Sequence, residues 1–141
     1  MNIYFSCSIT GGRKDQAVYR AIVDHLHAKG HVVPTAELAD ADVLKIEAVI
    51  DPRSVYERDV EWVSQSDVII AEVSTPSHGV GYEIALALLL GKPVLCCYKA
   101  GQTVSKMITG NTHSTLNLVE YQHNDDALKA IDHFLMDVAK A

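Results

Sequence analysis

The 141-residue sequence has little positive charge, no long apolar run and few cysteines. Its 12 lysines and arginines are scattered and are outnumbered by 18 acidic residues, which gives a net charge of −6. Polynucleotide binding needs a basic stripe that neutralises phosphates, so this composition argues against it. The longest apolar stretch, Ile84–Leu90, is too short to span a bilayer. The first residues lack the basic region and apolar core of a signal peptide, so none is expected.

Cysteine and histidine usage point to a reduced protein without a metal. Three cysteines cannot all pair, and Cys96 and Cys97 are adjacent in a predicted strand, so they should point to opposite faces. A reduced, cytoplasmic location is therefore expected. His25 and His27 lie two apart on a predicted helix and face different directions, and no other histidine pair has the spacing of metal ligands. Neither a metal nor a cofactor is expected.

Apolar runs alternate with helical periodicity along the whole chain. Strands are predicted at 2–6, 31–34, 67–73, 93–98 and 116–121, and helices at 15–28, 54–66, 82–90, 104–109 and 125–139. The weakly periodic segment 36–51 is predicted to be a loop with a short helix. Strands that alternate with helices form parallel sheets through right-handed crossovers. We therefore predict one α/β domain over 1–141, a doubly wound, flavodoxin-like five-stranded parallel sheet of order 2-1-3-4-5 with helices on both faces.

Two polar loops lie where such a sheet binds ligands, beyond the carboxyl ends of the first and third strands. They are residues 6–13 and 74–81, both rich in Ser, Thr and Gly, and each leads into a predicted helix. Helix N-termini and glycine backbones favour anions, and Ser8 and Ser77 add hydroxyl donors. Small polar residues are also ordinary in turns between a strand and a helix, so either loop alone leaves both interpretations open. Two such loops at one crevice favour a phosphate or ribose-phosphate site.

Three side chains at this crevice are candidates for chemistry. Glu83 is predicted in a first helical turn, where the helix dipole would help keep it ionised as a nucleophile or where it is simply a dipole-favouring acid. Asp59 lies on the apolar face of its predicted helix, where a buried acid needs a role or a partner, or else at a solvated helix edge. Tyr4, near the end of the first strand, could reach Glu83 or be a core aromatic. Paired carboxylates are what glycoside cleavage with retention requires.

Several short segments form a pattern that covers almost the whole chain. They are 4–13 (YFSCSITGGR), 57–59 (ERD), 71–73 (AEV), 76–83 (PSHGVGYE), 91–93 (GKP) and 105–108 (SKMI). Together they resemble the 2′-deoxynucleoside 5′-monophosphate N-hydrolases of the nucleoside 2-deoxyribosyltransferase superfamily. The resemblance implies a flavodoxin-like dimer that cleaves the bond between base and deoxyribose phosphate. It also implies that Glu83 attacks the anomeric carbon, that Asp59 acts in acid/base work and orients the sugar, and that Tyr4 hydrogen-bonds the nucleophile.

The same resemblance assigns the residues that bind the substrate. Those expected to line the sugar-phosphate site are Ser8, Ile9, Gly11, Ser77 and Gly79. Ser105 and Met107 are added to them, with Ser105 reaching the phosphate from the neighbouring subunit of a homodimer. Thr10 and Cys7 depart from the pattern, since mammalian-like members are expected to have an arginine and a glycine there. Phosphate affinity or base stacking is expected to differ accordingly.

Two other functions remain open on the residues. A nucleoside 2-deoxyribosyltransferase moves the sugar from one base to another, which needs room for an acceptor base and no phosphate pocket. The serines at 8, 77 and 105 argue against it. A non-catalytic nucleotide-binding module could use the same fold. The paired acids argue against that module, because an anion site gains nothing from carboxylates. The sequence does not name the base.

Overall fold

Four parallel strands and the helices between them form the part of the chain that the computed structural model describes, namely residues 1–9, 14–39, 42, 45 and 48–140. The strands are β1 (Ile3–Ser6), β2 (Val68–Glu72), β3 (Val94–Lys99) and β4 (Leu116–Tyr121). The helices are α1 (Gln16–Ala28), α2 (Pro52–Gln65), α3 (His78–Leu89), α4 (Lys106–Thr109) and α5 (Asn124–Val138), with a 3-10 turn at Ala36–Ala39. The strand order is β1-β2-β3-β4, with every pair parallel.

The predicted second strand, 31–34, is reduced to one bridge between Asn2 and Val32. The Asn2 carbonyl accepts from the Asp67 N–H on the β2 side at 2.8 Å. In the same peptide unit, the Ile3 N–H donates in the opposite direction to the Val32 carbonyl, also at 2.8 Å. The bridge therefore lies on the side of β1 away from β2. The parallel α/β sheet is confirmed, whereas the five-strand count and its order are not.

The ladder beside β1 stops after this bridge for a local reason. Pro34 has no N–H to donate to a neighbouring strand. The Thr35 side chain takes over instead: its hydroxyl accepts from the Phe5 N–H at 3.0 Å and donates to the Phe5 carbonyl at 2.8 Å. The Thr35 side chain thus forms the hydrogen bonds to the Phe5 backbone that a fifth strand was predicted to form.

Helices cover both faces of the sheet, as predicted. On one face, α1 and α5 pack with the β1 side chains Ile3 and Phe5 in the first core cluster. On the other face, α2 and α3 pack with Tyr4 in the second core cluster. Cys97 belongs to the first cluster and Cys96 to the second, which confirms that adjacent strand residues point to opposite faces. Tyr4 is thereby placed on the face that carries the two candidate carboxylates.

Helix bounds follow the predicted periodicity closely, with one exception at α3. The start of α2 moves two residues earlier than predicted because Asp51 caps it, accepting from the Arg53 N–H at 3.0 Å and the Ser54 N–H at 3.2 Å. Pro52 then occupies the first turn, a position that suits its fixed φ. Within the described ranges, no helix is long and apolar enough to cross a membrane.

Candidate active site

The helix that carries Glu83 begins at His78 rather than at the predicted Tyr82. Ser77 caps it, with its Oγ accepting from the Val80 N–H at 3.5 Å. Two glycines in this turn favour a loop on propensity alone, but the cap and the buried apolar side chains that follow outweigh them. Glu83 therefore lies in the second turn of α3, where the effect of the helix dipole has largely faded.

Burial dominates the electrostatics of Glu83. It raises the pKa of this carboxyl to about 7, and the nearby charge of Asp59 adds to the rise. The Ser6 and Tyr4 hydroxyls and the Arg58 guanidinium lower the pKa without cancelling the effect of burial. The predicted help of the helix dipole in keeping Glu83 ionised is therefore outweighed by burial. A carboxyl with a pKa near the working pH can instead exchange between its two forms during a reaction.

Tyr4 lies beneath Glu83 on the sheet. Its side chain is fully buried, and burial together with the charges of Glu83 and Asp59 raises the pKa of its hydroxyl far above the usual range. Among the described residues this hydroxyl has no hydrogen-bond partner of standard geometry. The Tyr4 and Glu83 groups are neighbours that shift each other's pKa, and the hydrogen bond between them stays a prediction. Because the Tyr4 hydroxyl is buried and neutral, it is a donor available to the nucleophile or to a ligand.

Asp59 is held by its neighbour in the chain. The Arg58 Nε donates to Asp59 Oδ1 at 2.8 Å, and the Arg58 guanidinium lies over the Trp62 ring, 4.9 Å from its centroid. The Asp59 side chain is only 18% exposed, so the solvated helix edge is the weaker of the two interpretations. Because the guanidinium is fixed by both the ring and the carboxylate, the direction of Asp59 is fixed as well.

Glu83 and Asp59 line one cavity of about 250 Å³ between α2 and α3. Gly79 belongs to the same wall, and the remaining lining is mostly apolar. At the rim, the half-exposed rings of Tyr56 and Tyr82 meet edge to face with centroids 6.2 Å apart. Within the described ranges, no set of three His, Cys, Asp or Glu side chains is placed to hold a metal ion. The cavity thus offers two carboxylates, apolar walls and an aromatic rim.

The residues predicted to bind a sugar phosphate are only partly brought together. Ser8 is fully buried after β1, and Ile9 packs partly against the first core cluster. Gly11 lies outside the described residues, as does Thr10. Ser77 and Gly79 are close, since a Cβ at position 79 would lie 3.9 Å from Ser77 Oγ. Ser77 uses its oxygen as the helix cap, and its hydroxyl hydrogen can still donate.

Ser105 and Met107 lie at a different cavity of the same chain. This second cavity, of about 650 Å³, is bounded by α3 and by residues 103–111, and Ser77 also lines it. Ser105 caps α4, where its Oγ accepts from the Met107 N–H at 3.2 Å. Glu83 is absent from this lining, so one chain does not bring Ser105 to the carboxylate pair.

The sequence did not predict two polar features, one at Glu83 and one on the other face of the sheet. Ser6 donates to Glu83 Oε2, a contact between residues far apart in the chain. The alternation of side chains along a strand does predict that Ser6 faces the site, because Ser6 follows Tyr4 by two residues and so lies on the same face of the sheet. Glu72, fully buried at the end of β2, accepts from the Ser74 hydroxyl and from the Tyr121 hydroxyl at 2.9 Å. Burial raises the pKa of Glu72, and these bonds hold the start of the second loop.

Comparison with known proteins places the chain in a family. The profile described as nucleoside 2-deoxyribosyltransferase matches residues 3–128. The chain belongs to the nucleoside 2-deoxyribosyltransferase family. Its sequence is 36% identical over 142 residues to the 5-hydroxymethyl-dUMP N-hydrolase of Danio rerio, covering 99% of this chain and 99% of that protein. It is 45% identical over 113 residues to the 5-hydroxymethyl-dUMP N-hydrolase of Rattus norvegicus, covering 77% and 69% respectively.

The fold of this nucleoside 2-deoxyribosyltransferase family member is also found among solved structures. The CMP N-glycosidase of Clostridium botulinum superposes with a TM-score of 0.71, over 94% of this chain and 98% of that one. At 19% sequence identity, this structural similarity supports the fold assignment alone. The membership predicted from the sequence pattern is confirmed by the profile and by the named relatives.

Proposed function

We propose that this chain hydrolyses the N-glycosidic bond of a 2′-deoxynucleoside 5′-monophosphate and releases the free base and 2-deoxyribose 5-phosphate. The observation that carries the proposal is the pair Glu83 and Asp59 in one partly apolar cavity, with two hydroxyls beneath Glu83. The names of the relatives support the reaction class, since both are N-hydrolases of deoxynucleotides. Which base is released is left to experiment.

In the first step, a Glu83 oxygen attacks the anomeric carbon and a new C–O bond forms. In the reactive form, the one proton that the Glu83–Asp59 pair holds near neutral pH lies on Asp59. The C–N bond breaks, its electron pair leaves with the base, and the base takes this proton, for which Asp59 is the proposed donor. Tyr4 is proposed to donate to the nucleophile or to the sugar through the hydroxyl that has no described partner. The product of this step is a glycosyl ester on Glu83.

In the second step, water attacks the same carbon and the ester C–O bond breaks. Asp59 takes a proton from the water, and Glu83 leaves as a carboxylate, so both groups return to their starting forms. A pKa raised to about 7 makes Glu83 a stronger nucleophile than an ordinary carboxylate and a somewhat poorer leaving group, although its anion still forms near neutral pH. Apolar cavity walls limit how many waters reach the ester.

The phosphate is proposed to lie against the two polar loops. Ser77 stands at the first turn of α3, where backbone N–H groups and the helix dipole favour an anion. Ser8, Ile9 and Gly11 of the first loop complete the proposed site, with Gly79 allowing close approach of the sugar. The overall charge of −6 makes such a local site necessary for an anionic ligand.

A homodimer is proposed to complete the site with Ser105. Within one chain α3 separates Ser105 from Glu83, because the two residues line different cavities. Met107, which lines the larger cavity, is 83% exposed. Large exposed apolar side chains next to an open cavity are typical of a surface that a second copy covers. Ser105 and Met107 would then reach the substrate of the partner.

Complementation between two inactive variants tests this arrangement. Glu83→Gln removes the nucleophile, and Ser105→Asp places a negative charge against the phosphate. If Ser105 acts across the interface, a heterodimer of the two variants has one fully wild-type site. Random mixing makes half of all dimers heterodimers, so co-refolded chains should recover about a quarter of wild-type activity. Recovery no greater than the sum of the separate variants would contradict the exchange of Ser105.

The proposed reaction is tested by a panel of deoxynucleoside and ribonucleoside 5′-monophosphates. We expect release of free base and 2-deoxyribose 5-phosphate from at least one deoxynucleotide, measured by chromatography. Each reaction is repeated with a second free base, because a transferase would make a new nucleoside and a hydrolase would not. No base release across the panel refutes hydrolysis, and tight binding without turnover would instead favour the non-catalytic module.

A further inference from the structure

Ser6 stands at the carboxyl end of β1, directly beneath the candidate nucleophile. Its side chain is 1% exposed, and its Oγ donates to Glu83 Oε2. The residue is paired with Ala71 of β2, so its backbone belongs to the hydrogen-bonded part of the sheet. A serine on a paired strand has one side-chain torsion, which makes it a donor of nearly fixed position.

We infer that Ser6 is a positioning residue for Glu83, whose hydroxyl holds one carboxylate oxygen and leaves the other oxygen to attack the anomeric carbon. The inference rests on the proposed function, because it gives Glu83 the role of nucleophile. No step of the proposed reaction needs Ser6 to touch the substrate. It acts by restricting the orientation of another side chain.

The need for such a restraint follows from the geometry of glutamate. Glu83 extends from α3 through several rotatable bonds, and fixing a long side chain costs conformational entropy. A nucleophile must be held close to its attack geometry, since small displacements lower the rate strongly. Ser6 donates to this carboxylate from the rigid strand, and the Tyr4 hydroxyl beside it also lowers the pKa of Glu83.

The same hydrogen bond persists through the reaction. While Glu83 is a carboxylate, Ser6 donates to a charged oxygen and favours the ionised, reactive form. In the glycosyl ester, the oxygen held by Ser6 becomes the ester carbonyl, which still accepts a hydrogen bond. Ser6 therefore keeps the group in one orientation before and after the C–O bond forms.

Ser6→Ala tests the inference with two readouts. We expect kcat/KM at pH 7 to fall by about 10- to 100-fold, the range for losing a hydrogen bond to a charged group. We also expect the acid limb of the pH profile to move to higher pH, because the donor that lowers the pKa of Glu83 is gone. Ser6→Cys keeps a weaker donor and should recover part of both changes.

A direct titration separates the inference from the proposed function. The carboxyl carbon of Glu83 is followed by NMR against pH in the free protein, in wild type and in Ser6→Ala. Ser66→Ala is the matched control, since Ser66 is also 1% exposed and donates to the Trp62 carbonyl at 2.7 Å, at the opposite end of the sheet. It should leave both the titration and the pH profile unchanged.

The outcomes are distinct. A raised pKa of Glu83 in Ser6→Ala, together with the lower kcat/KM, supports the positioning role. Turnover by wild type with an unshifted titration and an unshifted pH profile in Ser6→Ala overturns the inference alone. A raised pKa in a protein whose wild type releases no base overturns the proposed function, and the positioning of a nucleophile with it.

Discussion

Replacing Glu83 by Gln is expected to lower kcat for base release by roughly 10⁴-fold or more, while making the folded protein more stable above neutral pH. Loss of activity follows because an amide cannot form and release the glycosyl ester, and removal of a covalent nucleophile costs orders of magnitude. Glutamine keeps the shape of the side chain and can still accept from Ser6. The variant therefore separates chemistry from packing.

The gain in stability follows from the direction of the pKa shift. Burial raises the pKa of Glu83 from 4.5 to about 7, so the folded state binds this proton more tightly than the unfolded state. Between these two values the free energy of unfolding of wild type falls as the pH rises, and above about 7 the full penalty is present. Its size is no more than about 3.5 kcal/mol, because one pKa unit corresponds to about 1.4 kcal/mol and the pKa rises from 4.5 to about 7. Glutamine carries no charge and avoids the penalty.

Both effects are measured on the same protein samples. Urea unfolding at pH 5 and pH 8 should give a stability difference between Glu83→Gln and wild type that grows in favour of the variant as the pH rises. Glu120→Gln is the control, because Glu120 is exposed on β4 and no part of the site. A variant that loses activity and stability together, or that keeps its rate, would contradict the assignment of Glu83.

Replacing Asp59 by Asn should lower kcat/KM for deoxynucleotides by about 10²- to 10⁴-fold, the usual range for a general acid/base. Asparagine can still accept from Arg58 through Oδ1, so the position of the side chain is kept while proton transfer is lost. A substrate whose leaving group needs no proton, such as a nitrophenyl 2-deoxyribose 5-phosphate, should lose far less. The ratio of the two losses isolates proton transfer to the base from orientation of the sugar.

The matched control for Asp59 lies on the same helix. Glu57 is 58% exposed and pairs with Arg53 on the surface of α2, so Glu57→Gln should leave both substrates unaffected. Equal losses on the natural and the activated substrate would show that Asp59 only orients the sugar. In that case the proton for the leaving base must come from another group or from water.

Much of the fold was predictable because its signals are local. The spacing of apolar residues predicted α1 and α5. A continuous apolar run predicted β2, because a strand that is covered on both faces needs no alternation of polar and apolar residues. The fifth strand was not predictable in the same way. A β-branched pair before a proline is typical of an edge strand, and only the tertiary contact of Thr35 with Phe5 shows that the ladder stops. The cytoplasmic location and the single-domain extent stay predictions.

The site was predictable in its residue types more than in its geometry. Glu83 and Asp59 were identified as candidates, and the structure places both at one cavity. The pKa of Glu83 was expected to be held down by the helix dipole, but the earlier start of α3 and burial reverse the direction. Strand alternation puts Ser6 on the same face as Tyr4, but its bond joins residues 77 positions apart, and no local pattern reveals that Glu83 is its partner.

The two glycines at the start of α3, Gly79 and Gly81, lie next to open space in the folded chain. A methyl group at Gly81 would meet nothing within 4 Å, and at Gly79 only the far edge of a serine hydroxyl at 3.9 Å. Alanine in place of a helical glycine is worth up to about 1 kcal/mol, so a chain shaped for stability alone would have filled both positions. The two glycines therefore weaken this end of the helix and leave its backbone accessible, which suits the phosphate and sugar contacts proposed above.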